Sequence, residues 1–162
     1  MKQFFTLFLC VFLLQVQQVL GQCSGSITLA TQADVDAFDC VDFSGSITVQ
    51  GNDITNLDSL SELETLTESL KINGTGNLGV ISFPNLKDVG DRLDIRGNAA
   101  LTGLSFPVLG KVGSGGFASG PSLSLRIQNN ASLEAIPGFD SLRTVGNFLS
   151  VANNAALREI SG

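Results

Sequence analysis

The sequence predicts an all-β fold, a solenoid whose strands pair in parallel from coil to coil, with a single helix near its N-terminus. Three observations predict it: a repeated unit, a constant chemistry at each position of that unit, and one isolated helix signal. The unit is clearest in Leu93-Asp-Ile-Arg-Gly-Asn-Ala-Ala-Leu-Thr-Gly-Leu-Ser-Phe-Pro-Val-Leu-Gly-Lys-Val-Gly113, and most of the remaining chain is a looser copy of it. Aligned on the first hydrophobic residue of an L-x-I core, the copies begin at Ile47, Leu70, Leu93, Leu125 and Leu149, in steps of 23, 23, 32 and 24 residues. A recurring period in that range marks a repeat architecture.

The columns agree in chemistry. Two residues after each start stands Val49, Ile72, Ile95, Ile127 or Val151, and five after it Asn52, Thr75, Asn98, Asn130 or Asn154. Leu78, Leu101, Leu133 and Leu157 follow at the eighth place, which the first copy lacks, and Ile81, Leu104, Ile136 and Ile160 at the eleventh. Phe83-Pro84 and Phe106-Pro107 come next, and Val89-Gly90, Val112-Gly113 and Val145-Gly146 close the unit. The alternating L-x-I reads as a short strand with two residues inward and their neighbours outward. Asparagine at a fixed offset reads as a turn residue bonding nearby backbone and stacking from coil to coil. Leucine then fills the core, and Phe-Pro sets a further corner. One such coil cannot bury its apolar side alone, whereas stacked coils can.

The helix signal lies ahead of the repeats. Thr31 is a good N-cap, Asp34 stands three residues on, and Val35 with Phe38 makes one apolar face. The preceding Ile27-Thr-Leu29 is expected to be a strand of the opening coil. Such a helix would cover the unpaired backbone and open core that a solenoid leaves at its first coil.

Further upstream, Met1-Lys2-Gln3 is a short basic start, Phe4 to Leu14 is almost wholly apolar, and Gln15 to Gly21 turns polar and then small. That layout predicts a secretory signal peptide over residues 1–21, cleaved after Gly21. The apolar run is short for a bilayer span, and Gln22 before Cys23 does not suit bacterial lipidation. Cleavage leaves 22–162 as one domain, with an N-terminal cap over 23–44 and repeats over 45–162. Cys10 leaves with the signal, so Cys23 and Cys40 remain and, in a secreted chain, are expected to form a disulfide. A bridge closing a loop of that size stabilises by about 3 kcal/mol.

Two further segments stand out. The long step holds Gly113-Ser-Gly-Gly-Phe-Ala-Ser-Gly-Pro121, a glycine-rich insertion with one aromatic, Phe117, a candidate binding loop whose plainer reading is a tolerated surface insertion. At Ser161-Gly162 the sequence stops partway round a coil without a closing cap. That reads as a chain continuing beyond the sequence, or as an end covered by another chain. Neither a transmembrane segment nor a lipid-anchor signal is expected.

Cys23, Thr31-Gln-Ala-Asp-Val-Asp-Ala-Phe-Asp-Cys40, Phe43-Ser-Gly-Ser-Ile-Thr-Val49 and the repeat L-x-I-x-x-N-x-x-L-x-x-I-x-F-P-x-L-x-x-V-G together resemble the receptor L-domain superfamily. Within it the chain is most similar to fungal secreted or GPI-anchored cell-wall organisation proteins of the sporulation type. The resemblance spans nearly the whole mature chain and implies a right-handed parallel β-helix, the form of the ligand-binding lobes of insulin-receptor and epidermal-growth-factor-receptor ectodomains. The chain departs from the fungal proteins in lacking their further repeats, Ser-rich stalk and anchor tail. It departs from ordinary leucine-rich repeats in the spacing that follows the asparagine.

Composition narrows the chemistry. With 9 basic and 15 acidic residues the net charge is −6, or −7 once Lys2 is removed, which makes nucleic acid an unsuitable partner. The chain contains no histidine, tryptophan or tyrosine, so nucleophile–histidine pairs and histidine metal sites are excluded. Paired carboxylates could serve a polysaccharide-cleaving β-helix enzyme. Yet no acid recurs in the strand-centre column Thr48, Lys71, Asp94, Arg126, Ser150, and no constellation of acid, base and oriented partner emerges. The expectation is therefore a non-enzyme, without cofactor or metal.

Outward neighbours of the inward pair form a strip: Ser46-Thr48-Gln50, Ser69-Lys71-Asn73, Arg92-Asp94-Arg96, Ser124-Arg126-Gln128 and Phe148-Ser150-Ala152. Of the eight basic residues left after cleavage, Lys71, Arg92, Arg96 and Arg126, with Arg143 close by, are expected on or near it. Solenoid faces commonly bind, and arginine suits carboxylates and sugar hydroxyls. Lys71, Arg92, Asp94, Arg96, Arg126 and Gln128 are thus the candidate binding face. The plainer reading is a solvated ladder of opposite charges that contributes little.

Two N-glycosylation sequons occur, Asn73-Gly-Thr75 and Asn130-Ala-Ser132. Asn73 falls on the outer strip and is the expected attachment site. Asn130 falls in the inward asparagine column and is expected to be modified less. Together these readings predict a secreted, extracellular recognition or structural module at a cell surface or wall, with a protein or cell-wall glycan as partner. The alternative is a receptor-type lobe that binds a polypeptide; the remote one is the polysaccharide-active enzyme.

Overall fold

The computed structural model describes residues 23–113, 123–136 and 139–161. The expected signal peptide and Phe117 lie outside the described residues.

Strand β1 (Ser24–Leu29) leads into helix α1 (Gln32–Asp36), and β2 (Asp42–Val49) into a 3₁₀ turn at Asp58–Leu60. Short strands follow: β3 (Thr65–Leu66), β4 (Leu70–Asn73), β5 (Val80–Ser82), β6 (Asp88–Val89), β7 (Leu93–Arg96), β8 (Gly103–Ser105) and β9 (Lys111–Val112). The last are β10 (Leu123–Gln128), β11 (Ala135–Ile136), β12 (Thr144–Val145), β13 (Phe148–Ala152) and β14 (Glu159–Ile160). Every pairing among them is parallel. The fold is a parallel β-solenoid, as the period predicts.

Three faces wrap the core. The main one runs β1, β2, β4, β7, β10, β13; the second starts from the beginning of β2 and runs β3, β6, β9, β12; the third is made of the pairs β5–β8 and β11–β14. Register follows the columns residue for residue: Ile47 pairs with Leu70, Leu70 with Leu93, Leu93 with Leu125 and Leu125 with Leu149. In a sheet with one buried face a slip of one residue would turn every inward side chain to solvent, so the L-x-I pattern sets the register. Ile47, Leu70, Leu93, Val49, Ile72 and Ile95 are fully buried, each burial contributing about 1.5–3 kcal/mol.

The asparagine column is an internal ladder. Asn98 accepts at Oδ1 from the Thr75 amide (3.0 Å) and hydroxyl (2.8 Å), and donates from Nδ2 to the Ile72 carbonyl at 3.0 Å. One coil on, Asn130 accepts from the Asn98 amide at 3.1 Å and donates to the Ile95 carbonyl at 3.1 Å. Asn154 repeats the pattern on the Asn130 amide and the Ile127 carbonyl. Corner backbone groups that would otherwise be orphaned in the core are thereby satisfied. Asn52, expected in the same column, stands outside the ladder: it is exposed, and its Oδ1 accepts from the Gly76 amide at 3.1 Å. In that coil Ile54, Leu57, Leu60 and Leu63 fill the interior instead.

Immediately before the ladder, Gly74, Gly97, Asn129 and Asn153 all take left-handed backbone, with φ between 56° and 66°. Glycine and asparagine enter that region most readily, so the column accepts those two residue types. The closing glycine has a different cause. A Cβ on Gly90 would lie 2.0 Å from the Thr67 carbonyl oxygen of the coil beneath.

The corner aromatics stack, Phe83 on Phe106 at 5.5 Å between ring centroids and Phe106 on Phe139 at 5.3 Å. Phe139 joins them without a following proline, which hid it from the Phe-Pro pattern. At the N-terminal end Thr31 and Asp34 form a reciprocal capping box. Val35 is fully buried, Phe38 packs on Phe43 with centroids 6.1 Å apart, and Cys23 and Cys40 are bonded. Gln32 ties α1 to the first coil by accepting from the Thr55 amide at 2.8 Å.

Candidate functional site

The candidate face is the outer side of β4, β7 and β10, the central strands of the main sheet. Side chains alternate across a strand, so the residues between the inward pairs must project here. The ladder places Lys71 beside Asp94 and Asp94 beside Arg126; one position along, Asn73 pairs with Arg96 and Arg96 with Gln128. Arg92 stands just ahead of β7. Parallel strands lie about 4.8 Å apart, so Lys71, Arg92, Asp94, Arg96, Arg126 and Gln128 are gathered into one patch, as expected.

Their exposure differs from the expected open strip. Asp94 is only 1% exposed. Arg126 lies over it as a fork, with Nε donating to Oδ1 at 2.8 Å and Nη2 donating to Oδ2, and Arg96 Nε approaches Oδ2 at 3.7 Å. This pair corrects the solvated ladder: the carboxylate is enclosed by two arginines contributed from its own coil and the next. Arg126, its side chain 19% exposed, has its pKa held above the ordinary guanidinium value, chiefly by the hydrogen bond to Asp94. Lys71 takes no part in an ion pair among the described residues, although the ladder sets it beside Asp94.

Ser69 and Ser124 are also covered where an open strip was expected, and Ser46 is half-buried. Ser69 is buried, its hydroxyl donating to Asp91 at 2.7 Å, and Ser46 donates likewise to Glu68 at 2.8 Å. Ser124 is buried too, its Oγ accepting from the Asn147 amide at 3.1 Å, next to a register shift between Leu123 and Leu125. Arg143 is not on this face. Its amide donates to the Gly110 carbonyl at the start of β12, in the column of Glu64 and Lys87 one face round.

Among the remaining neighbours, Gln128 donates to Ser150 at 2.8 Å, and Asn73 Oδ1 accepts from Arg96 Nε at 3.2 Å. The two sequons differ sharply. Asn130 is fully buried with Nδ2 donating to Ile95 and Asn154, while Asn73 is half-buried at the surface and its Nδ2 donates to no residue among those described. Asp91 and Glu68, which border the patch, carried no signal in the repeat columns. Chemically the patch can offer fixed guanidinium donors, an unpaired ammonium group among the described residues and flanking amides, groups that suit binding. Among the described residues no helix is long and apolar enough to cross a membrane. Comparison of the chain with protein-family models, curated proteins and solved structures finds no match.

Proposed function

We propose that the chain is a secreted, non-enzymatic recognition module of the receptor L-domain kind, serving in cell-wall organisation and binding its partner through the basic patch of the main sheet. One observation carries the reading: Lys71, Arg92, Arg96 and Arg126 gather on one side of an acidic protein, two of them, Arg96 and Arg126, about a buried carboxylate. Scattered surface cations need no explanation, but a cluster on the broadest face of a solenoid is the usual form of a binding surface. The complete lack of histidine supports the non-enzymatic part, and the Cys23–Cys40 bond suits an oxidising compartment.

The test is a pull-down with the mature chain, comparing isolated cell-wall polysaccharide with solubilised surface proteins, beside a triple variant Arg92→Ala, Arg96→Ala, Arg126→Ala. Retention on polysaccharide that the variant loses is the expected result. Capture of one discrete protein would move the reading to a polypeptide-binding receptor lobe, and retention unchanged in the variant would remove the patch from it. In this reading Asn73 is the attachment site for N-linked sugar, which would mask the edge of the patch beside Arg96, and Asn130 is spared, because both Nδ2 hydrogens of Asn130 are committed inside the ladder. Peptide mapping that found Asn130 occupied in folded protein would contradict it.

A further inference from the structure

The charge on the patch is incompletely compensated. Asp94 serves Arg126 and, at 3.7 Å, Arg96. Lys71 and Arg92 pair with no carboxylate among the described residues, and Arg92 Nε, although buried, has no hydrogen-bond partner. Glu68 and Asp91 border the patch and accept from the Ser46 and Ser69 hydroxyls, but neither forms an ion pair with Lys71 or Arg92. Elsewhere the fold does neutralise a cation from the adjacent coil: on the second face Lys87 meets Glu64. A surplus of donors beside one enclosed carboxylate is what an anionic group would complete.

The surroundings decide which anion. Among the described residues the large exposed apolar side chains are Val41, Val80, Val108, Phe148, Leu149 and Ile160, and none of them is on β4, β7 or the described side chains of β10. Polypeptide interfaces depend on buried aromatic or aliphatic anchors; the nearest exposed one, Phe148, stands at the far end of β13 from the cations of β4 and β7. Neutral sugars are commonly held by stacking on tryptophan or tyrosine, and the chain has neither. What the face does offer is repetition, with a donor or acceptor on each coil about every 4.8 Å along the solenoid axis and the polar groups of Thr48, Gln128 and Ser150 beside the cations. That combination fits a polymer rich in hydroxyls and carrying carboxylates.

We propose that this face binds an acidic polysaccharide, with Lys71, Arg92 and Arg96 on its carboxylates and the Arg126–Asp94 pair holding the donors in place. The inference rests on the recognition reading above. Its test measures binding of the folded, disulfide-bonded protein to three probes at graded salt: polygalacturonate, a neutral β-glucan and poly-glutamate. Variants are Lys71→Ala with Arg96→Ala, and the conservative Lys71→Arg, with circular dichroism confirming the fold. Polygalacturonate should bind, weaken as salt rises, lose about tenfold or more in the double variant and keep most of its affinity in Lys71→Arg.

Equal binding of neutral glucan, lost in the double variant, would overturn the acidic assignment and leave the face as a recognition site. Poly-glutamate binding as tightly as polygalacturonate would overturn it in favour of an acidic polypeptide. Polygalacturonate binding that the double variant leaves unchanged would overturn the site. Binding of none of the three would overturn the proposal, while the wall pull-down still judges the recognition reading separately.

Discussion

The first and last coils of the main sheet are built from the same L-x-I pattern but are protected very differently. At the start, β1 stacks on β2 with α1 and Phe38 packed beside it and the Cys23–Cys40 bond closing the cap, so Ile47 and Val49 of β2 are fully buried. At the last coil Leu149, in register with Ile47 through the intervening strands, is 59% exposed and Ile160 is 63% exposed. Together with Phe139 and Val151 they line an apolar recess of about 260 Å³. In a solenoid, then, a residue's contribution depends on the coils stacked over it as much as on its column.

The sharpest way to break that comparison is one substitution made twice in one column. Leu93→Ala should cost about 4 kcal/mol, through lost burial and the cavity left, whereas Leu149→Ala should stay within about 1 kcal/mol. Urea unfolding followed by far-UV circular dichroism reads both, since the chain has no tryptophan or tyrosine to report. Equal costs would mean that the last coil is as well packed as the middle.

Next in size is the cap. Cys23→Ser with Cys40→Ser should lower stability by about 3 kcal/mol and speed amide exchange in β1 and α1 before β13. A uniform rise in exchange along the solenoid would show that the bond does not protect one end in particular. A smaller effect tests the ladder. Asn98→Ala leaves the Thr75 amide and the Ile72 carbonyl without partners in the core, at about 2 kcal/mol. Asn154→Ala, in a half-buried coil, should cost half of that or less.

Smallest is the pH response of the capping box. Hydrogen bonds from the Thr31 hydroxyl system and the Ala30 and Thr31 amides hold the Asp34 pKa below its ordinary value of 3.8. A carboxylate depressed in the folded state contributes stability that is complete above the unfolded value and lost as pH falls through the folded one. The box should therefore stabilise fully at neutral pH and fade only below pH 3.8. A carboxylate NMR titration of Asp34 checks the shift, and Asp34→Asn should remove that part of the acid response without altering the last coil.

Most of the fold was legible because each structural demand recurs once per coil. The L-x-I strand, the ladder asparagines, the capping box of Thr31 and Asp34, and the Cys23–Cys40 pair could each be read locally. Asn52 misled because its identity matched the column while its coil is filled differently, by Ile54 and Leu57. Phe139 escaped because the corner can be occupied by a ring that reaches it from a shifted position. For the candidate site, membership of the patch was legible and accessibility was not. Lys71 and Asp94 are indistinguishable by period, yet one is half-buried and the other covered.

The sequence by itself determined the period, the parallel register and the inward columns, because a parallel stack repeats the same requirement at every coil and a slip would expose every apolar residue at once. Only the tertiary structure decided which outward groups are free. Arg126 covers Asp94 from 32 residues away, and the Ser124 hydroxyl is buried against the Asn147 amide of the next coil. Those outcomes depend on the lengths and directions of side chains from neighbouring coils competing for one carboxylate, a contest that no single repeat encodes.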